Sequence, residues 1–403
     1  MNEMSNLDEC SVVSIESAKK CQSFLGKVLE PPTYGFEVNG EFYAPTPREI
    51  FREFFTRLNV FRSAQNWLPF AGWAAACGLG AFFIVFCAKY FSWSHFAIGM
   101  TYSMVCMGTA GTIYLHRYST HRAFKFKNNF ARFLVRNLVI KVIPEEIYVI
   151  SHHVHHQFPE KAGDPYNVNG GFLYCFLADV NHQLINRNLN EQEYGQLTKL
   201  MNHTGVQMNN FSQYQKYGSL ANPFRTVAHY LLNWAFWFAV FFAIGGVSLA
   251  IAIFGCAAIW AFGVRTYNYD GHGRGKDQRQ DGIDFNRRDF SVNQVWPGYV
   301  AGEWHNNHHL YPNGARSGFL PYQFDLAWEF IRFYHAVGGV ASYRCYREEF
   351  LEKHYRPFLA QQAAKKLETL VAPIIPMPSV DELVSGRLVA THLAPSKPVI
   401  VSS

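Results

Sequence analysis

The stretch "SHHVHHQFPEKAGDPYN", residues 151–167, holds four histidines within five positions, in a 403-residue chain with 17 histidines in all. Helical periodicity sorts them, because residues three and four apart share a face while adjacent ones diverge by about 100°. With His155 at zero, His152 falls at about +60° and His156 at about +100°, whereas His153 falls at about +160°. Three of the four can converge on a metal, and His153 is left out. The same triad recurs in "EWHNNHHLYP" as His305, His308 and His309. "LHRYSTHR" supplies His116 and His121, five apart and so about 140° apart on an ideal helix. That pair needs a distorted helix end or faces two different metals. "RTYNYDGH" adds Asn268 and His272, an i, i+4 pair on one face.

Nine imidazoles exceed what one tetrahedral ion uses, so two metals with four or five ligands each fit the count. Imidazole suits zinc, copper, iron or nickel, and ligand type does not choose among them. The scarcity of acidic residues within the boxes argues against a carboxylate-bridged di-iron bundle. His95, His182, His203, His229, His335, His354 and His392 stand alone and read as surface or packed histidines.

The elements that must position these boxes are membrane helices. Hydrophobic residues make up 49% of the chain and charged residues 16%, against about 25% charged in soluble proteins. A bilayer core takes ~20 apolar residues per helix. One pair of spans is expected at about 68–88 and 96–115, and a second at 227–245 and 247–264, a run without Lys, Arg, Asp or Glu that turns at Gly245 and Gly246. The short outer connections carry only Lys89, while Arg57, Arg62, Arg117, Arg122, Lys125, Lys127, Arg225 and Arg265 flank the opposite ends. By the positive-inside rule both termini and all four boxes are cytoplasmic.

The fold class expected is thus an all-α integral membrane protein, four transmembrane helices as two hairpins, with a cytoplasmic helical cap carrying the dimetal site. Residues 1–45 read as a polar, weakly ordered lead. Residues 46–66 read as an amphipathic helix opened by Thr46, Pro47 and Glu49, lying at the membrane interface or packed on the cytoplasmic domain. Residues 67–370 form the membrane domain and 371–403 a flexible tail. "LVIKVIPEEIYVI", with Lys141, Glu145 and Glu146, should be buried or interfacial. The start "MNEMSNLDEC" lacks basic and apolar signal regions, so no cleaved signal peptide is expected. Eight cysteines show no CxxC pair, and the +6 charge lies mostly beside the membrane, giving no support to nucleic-acid binding.

With these residues in hand, the sequence resembles the membrane-bound fatty acid desaturase family over about Leu68 to Tyr343. That family carries HxxxxH, HxxHH and a second HxxHH, matched by His116 and His121, by His152, His155 and His156, and by His305, His308 and His309. Its Asn-x-x-x-His after the last span is matched by Asn268 and His272, and the resemblance implies that Asn268 reaches one metal through water. "GDPYN" and "NNHHLYPNGARSGFLPYQFDLAW" also resemble acyl desaturases. Before the third box, the family's Gly-Glu-Gly-aromatic-His reads "AGEWH", with Glu303 displaced by one residue.

The resemblance implies a non-haem centre of two iron ions that uses O2 and two electrons to remove two hydrogens from a fatty acyl chain. No HPGG-type haem motif occurs, so the electrons are expected from a separate ferredoxin, rubredoxin or cytochrome b5 partner with its reductase. The bacterial inner membrane is favoured over the endoplasmic reticulum. Related centres hydroxylate, form triple bonds, or decarboxylate a fatty acid to a terminal alkene, and these are the alternative outcomes. Alkane hydroxylases share a segment like "NYDGH" but space their first box HxxxH. A metal transporter or sensor would need polar ligands along the spans, and these hold only His229 and no acidic residue.

Overall fold

The computed structural model describes residues 24–272 and 304–371. Expectations for residues 1–23, for Glu303 and for the tail beyond Val371 lie outside the described residues. The chain divides into two units, Met1–Leu351 and Glu352–Ser403. In the second unit, Arg356–Val371 is helical. All that follows concerns the first.

Among the described residues, three helices are long and apolar enough to cross a bilayer, α2 (Ala64–Tyr90), α3 (Trp93–Thr120) and α6 (Pro223–Gly271), where the sequence leads one to expect four. The difference lies in α6, a single 49-residue stretch. Within it Gly245 and Gly246 leave helical geometry, Gly246 at φ +70°, which only glycine adopts without strain. A straight helix would separate Trp234 from Phe254 by about 30 Å. Their rings lie 5.7 Å apart, so the chain reverses between them.

Small residues let these helices meet closely, as in membrane bundles generally. A Cβ on Gly99 of α3 would stand 2.6 Å from Cys256 Sγ, and one on Gly255 2.9 Å from the Phe83 backbone of α2. Leu79, Met107, Ile253, Phe254 and Ala257 form the core between the three helices. Ile84, Leu232 and Ile244 face outward, each about 70% exposed, as lipid-facing side chains should be.

The described part of the lead, residues 24–45, contains short ordered elements. Leu25, Val28 and Leu29 bury an i, i+3, i+4 stripe against Ile185 and Leu189, and β1 (Glu37–Val38) pairs with β2 (Glu41–Phe42). α1 (Pro47–Leu58) starts with the expected capping box between Thr46 and Glu49. Phe51 and Phe55 are exposed on its outer side. Arg57, expected at the membrane boundary, turns inward instead, paired with Glu53 and donating to Pro31 O at 2.7 Å.

After α3, α4 (Asn129–Arg136) leads to residues 137–143, which run beside α6 without helical structure. Side chains of the spans satisfy that backbone, as an apolar surrounding demands. Trp237 Nε1 donates to Asn137 O at 3.0 Å, Trp234 Nε1 to Lys141 O at 2.8 Å, and Ile140 N to Tyr102 Oη at 3.0 Å. Ile140, Lys141 and Val142 are buried while Leu138 is exposed, and Lys141 and Arg136 both pair with Glu145. Burial raises the Glu145 carboxyl, yet those two cations hold it well below the usual range.

α5 (Glu145–Gln157) then carries the second box, and α7 (His305–Leu310) the third. Two devices tie α7 and α8 (Leu326–Ala336) to the end of α3. β3 (Phe124–Phe126) pairs antiparallel with β4 (Val340–Tyr343). Arg117, another expected boundary cation, is buried and donates to Ala315 O at 2.6 Å, Ser317 Oγ at 3.0 Å and Asp325 Oδ1 at 2.9 Å.

Candidate metal centre

The first box needs its two histidines on one side despite five-residue spacing. Thr112–Thr120 meets this need by widening into a π-helix, whose i→i+5 hydrogen bond brings such positions together. His121 N donates to His116 O at 3.1 Å, and the two rings lie 4.9 Å apart. This is the distorted end that the spacing requires.

Nine imidazoles come together in two groups, His116, His121, His152, His156 and His308 in one, His155, His272, His305 and His309 in the other, with the ligand atoms of each group within 4.8 Å of one another. These are the nine histidines expected from the sequence. The helical sorting placed the second box on one face, and the structure divides that face: His152 and His156 turn to the first group and His155 to the second. His153 joins neither, its ring 6.4 Å from that of His121, and burial pushes its pKa down to about 4.

Within the first group, His116 Nε2 stands 2.9 Å from that of His152 and 3.1 Å from that of His308, and His308 Nε2 stands 3.0 Å from that of His156. Within the second, the corresponding distances are 3.1 Å for His272 to His155, 3.0 Å for His305 to His272 and 3.1 Å for His309 to His305. Two nitrogens at right angles and each about 2.1 Å from one ion would lie about 3.0 Å apart.

The outer ring nitrogens explain which inner atoms carry lone pairs. His155 Nδ1 donates to Asp164 Oδ1 at 2.9 Å and His272 Nδ1 to Glu160 Oε1 at 2.9 Å. A carboxylate accepts only, so the proton sits on Nδ1 and Nε2 faces inward unprotonated. His152 Nδ1 meets Tyr166 Oη at 3.0 Å, and His305 Nδ1 meets Tyr267 Oη at 3.1 Å. Burial, reinforced by repulsion among the rings, holds His152, His156, His305, His308 and His309 well below the usual imidazole range, in the neutral form a metal binds. His121 Nε2 is buried with no hydrogen-bond partner among the described residues. Lone pairs crowded at 3 Å and an orphaned ring nitrogen are what a cation would satisfy, so the residues fit two metal ions.

Sequence reasoning passed over Glu160, Asp164, Tyr166 and Tyr267. Asp164 and Tyr166 lie within "GDPYN", where a carboxylate nine residues after a box histidine was the available signal. Asp164 also accepts from Glu160 N at 2.9 Å and Tyr166 N at 3.1 Å, folding the loop back under α5. Glu160 sits at φ +60°, a conformation costly for a residue with a side chain. Asn268 lies on the wall of a cavity beside the centre. Of the histidines read as surface or packed, His182 stacks on Tyr174 at 4.0 Å, His203 Nε2 meets Tyr118 O at 3.1 Å, and His335 Nδ1 meets Val340 O at 2.9 Å.

That cavity, about 390 Å³, is lined by Met104, Gly108 and Gly111 on α3, by His116 and His152, and by Asp179 and Arg265. Ile143, Ile147 and Trp260 contribute to a wall that is mostly apolar.

Comparison with known proteins agrees with this chemistry. The fatty acid desaturase family model matches residues 91–337, well over half of the chain. The chain is 27% identical over 255 residues to icosanoyl-CoA 5-desaturase of Limnanthes douglasii, covering 62% of this chain and 65% of that protein. It is 26% identical over 270 residues to Delta-9 acyl-lipid desaturase 2 of Arabidopsis thaliana, covering 62% and 74% respectively. It is 27% identical over 272 residues to sn-1 stearoyl-lipid 9-desaturase of Anabaena variabilis, covering 64% and 87%.

Proposed function

Because the chain belongs to the fatty acid desaturase family, we propose that it is a membrane-bound, O2-dependent diiron oxidoreductase that introduces a double bond into a fatty acyl chain. The observation that carries this reading is the pair of imidazole groups beside a mostly apolar cavity lined in part by His116 and His152. The balanced reaction converts –CH2–CH2– with O2, two electrons and two protons into –CH=CH– and two waters. A separate electron carrier with its reductase supplies the electrons.

Two irons, when bound, supply the oxidising power that an unactivated C–H bond demands and that side-chain acid–base chemistry lacks. His116, His121, His152, His156 and His308 would hold one. His155, His272, His305 and His309 would hold the other, with Asn268 reaching it through water. The chain's own contribution is positional. Asp164, Glu160, Tyr166 and Tyr267 fix ring orientation through Nδ1. Ile147, Trp260 and their neighbours exclude water and hold the acyl chain extended against the first group.

We read α2 with α3 as one membrane hairpin and the two halves of α6, folded at Gly245–Gly246, as the other. Four spans then leave the centre and both termini on the cytoplasmic side, which the placement of Lys and Arg supports. The membrane itself is the remaining partner.

Metal analysis tests this reading. Protein purified in detergent should carry about two irons per chain and release them on chelation. Stoichiometric zinc, or no metal, would contradict it.

A further inference from the structure

Among the described polar side chains lining the cavity, Gln183 stands out. It is 9% exposed, it lines the wall, and its Oε1 is buried without a hydrogen-bond partner among the described residues. Its neighbours at that end are already satisfied. Arg265 Nε donates to Asp179 Oδ2 at 3.1 Å, with its guanidinium 4.6 Å over the Trp73 ring, and Trp73 Nε1 donates to Asp179 Oδ1 at 3.3 Å. Thr112 and Thr266, also on the wall, donate to backbone carbonyls of their own helices. Asn181 Oδ1 and His182 Nδ1 are unpartnered too, but neither residue lines the cavity.

A buried amide oxygen left unpaired is costly, and the cost is recovered when a ligand completes it. An amide presents one donor and one acceptor side by side, whichever way its oxygen and nitrogen are turned. Its complement is a carbonyl oxygen with an N–H group close by. A glycerolipid ester offers acceptors only at its acyl linkage. A pantetheine thioester offers both, the thioester carbonyl and, two carbons beyond the sulfur, an amide N–H.

We propose that Gln183 is a specificity-determining residue that hydrogen-bonds the thioester carbonyl and the adjacent pantetheine amide, so that the substrate is an acyl thioester of a pantetheine carrier. The proposal rests on the acyl desaturase reading above. The polar end of the cavity then holds the head of the substrate by Gln183, while the apolar middle takes the methylenes past His116 and His152. Coenzyme A and acyl carrier protein share this arm.

The test is binding rather than turnover. The probe is a ketone analogue of stearoyl-pantetheine, with CH2 in place of the thioester sulfur, and its derivative methylated at the amide nitrogen nearest the carbonyl. Full-length, iron-loaded protein in detergent should bind the parent about tenfold more tightly than the N-methyl derivative, and methyl stearate should bind no better than the derivative. Gln183→Met, which keeps volume and loses the amide, should bind parent and derivative alike, and Gln183→Leu should do the same. Equal binding of parent and derivative by the unaltered chain would overturn the proposal. So would a Gln183→Met chain that still prefers the parent. Displacement of the parent by a non-hydrolysable stearoyl-CoA analogue, or by stearoyl carrier protein, identifies the carrier, and displacement by neither would overturn the proposal. Failure of every acyl ligand to bind would overturn the desaturase reading with it, whereas tight binding of methyl stearate together with desaturation of glycerolipid would overturn Gln183's part alone.

Discussion

The Nδ1 of His155 donates to Oδ1 of Asp164 at 2.9 Å, while the Nε2 of the same ring stands 3.1 Å from that of His272. One carboxylate outside the ring thus decides which nitrogen faces the second metal position. Asp164→Asn exchanges that acceptor for an amide and loosens the tautomer. Iron affinity at the second position should fall about 10- to 100-fold, as losses of such outer partners typically do. Chelator titration followed by metal analysis should then remove one iron per chain ahead of the other. Two irons released together at the unaltered chelator concentration would contradict this.

His156 and His153 are three residues apart on α5 and differ in role. His156→Ala removes a member of the five-histidine group and should abolish product formation. His153→Ala removes a ring in neither group and should leave much of the activity. Equal loss in the two variants, with both still folded by circular dichroism, would contradict the division.

Glu146 gives a pH dependence of stability away from the metal centre. Burial pushes its carboxyl up from 4.5 to about 7, although its Oε2 accepts from Ala221 N at 2.8 Å. A folded-state pKa above the unfolded value means that the protonated form is favoured in the fold. The contribution is fully present below pH 4.5, is lost as the pH rises towards 7, and stays lost above that. Glu146→Gln, which mimics the protonated form, should therefore raise the apparent melting temperature more at pH 8 than at pH 5. A difference between variant and parent that does not change with pH would contradict this.

Gly246 should resist substitution on backbone grounds alone. With φ +70° and ψ −171°, a region essentially confined to glycine, a side chain costs roughly 1–3 kcal/mol, although no described atom crowds its Cβ position. Gly246→Ala should lower the apparent melting temperature by a few degrees without altering iron content. An unchanged melting temperature would show that the reversal in α6 does not depend on glycine.

Much of the site was legible because imidazole spacing is a strong signal. His152, His155 and His156 share an arc on any helix, and the structure uses all three. What periodicity could not reveal was their division between two groups, because that depends on where α7 and the end of α6 lie. The pairing of His116 with His121 needed a π-helix, which spacing required without being able to name. Asp164 and Glu160 were hidden for another reason. They act through Nδ1 from a loop, and loops carry no period. Arg57 and Arg117 show the limit of reading charge by position: both count as boundary cations in the sequence, and both are buried, neutralised by Glu53 and Asp325. Lys141 breaks an apolar run, and only the fold shows that Glu145, four residues on, makes its burial tolerable.

The central claim, removal of two hydrogens from an acyl chain at a centre built on these histidines, is tested most directly by mass spectrometry of products. A host expressing the unaltered chain, fed uniformly deuterated fatty acid, should accumulate acyl chains lacking two deuteriums, with unchanged carbon count and no added oxygen. The host expressing His156→Ala should not. A gained oxygen, a chain one carbon shorter, or the same product from His156→Ala would contradict the account.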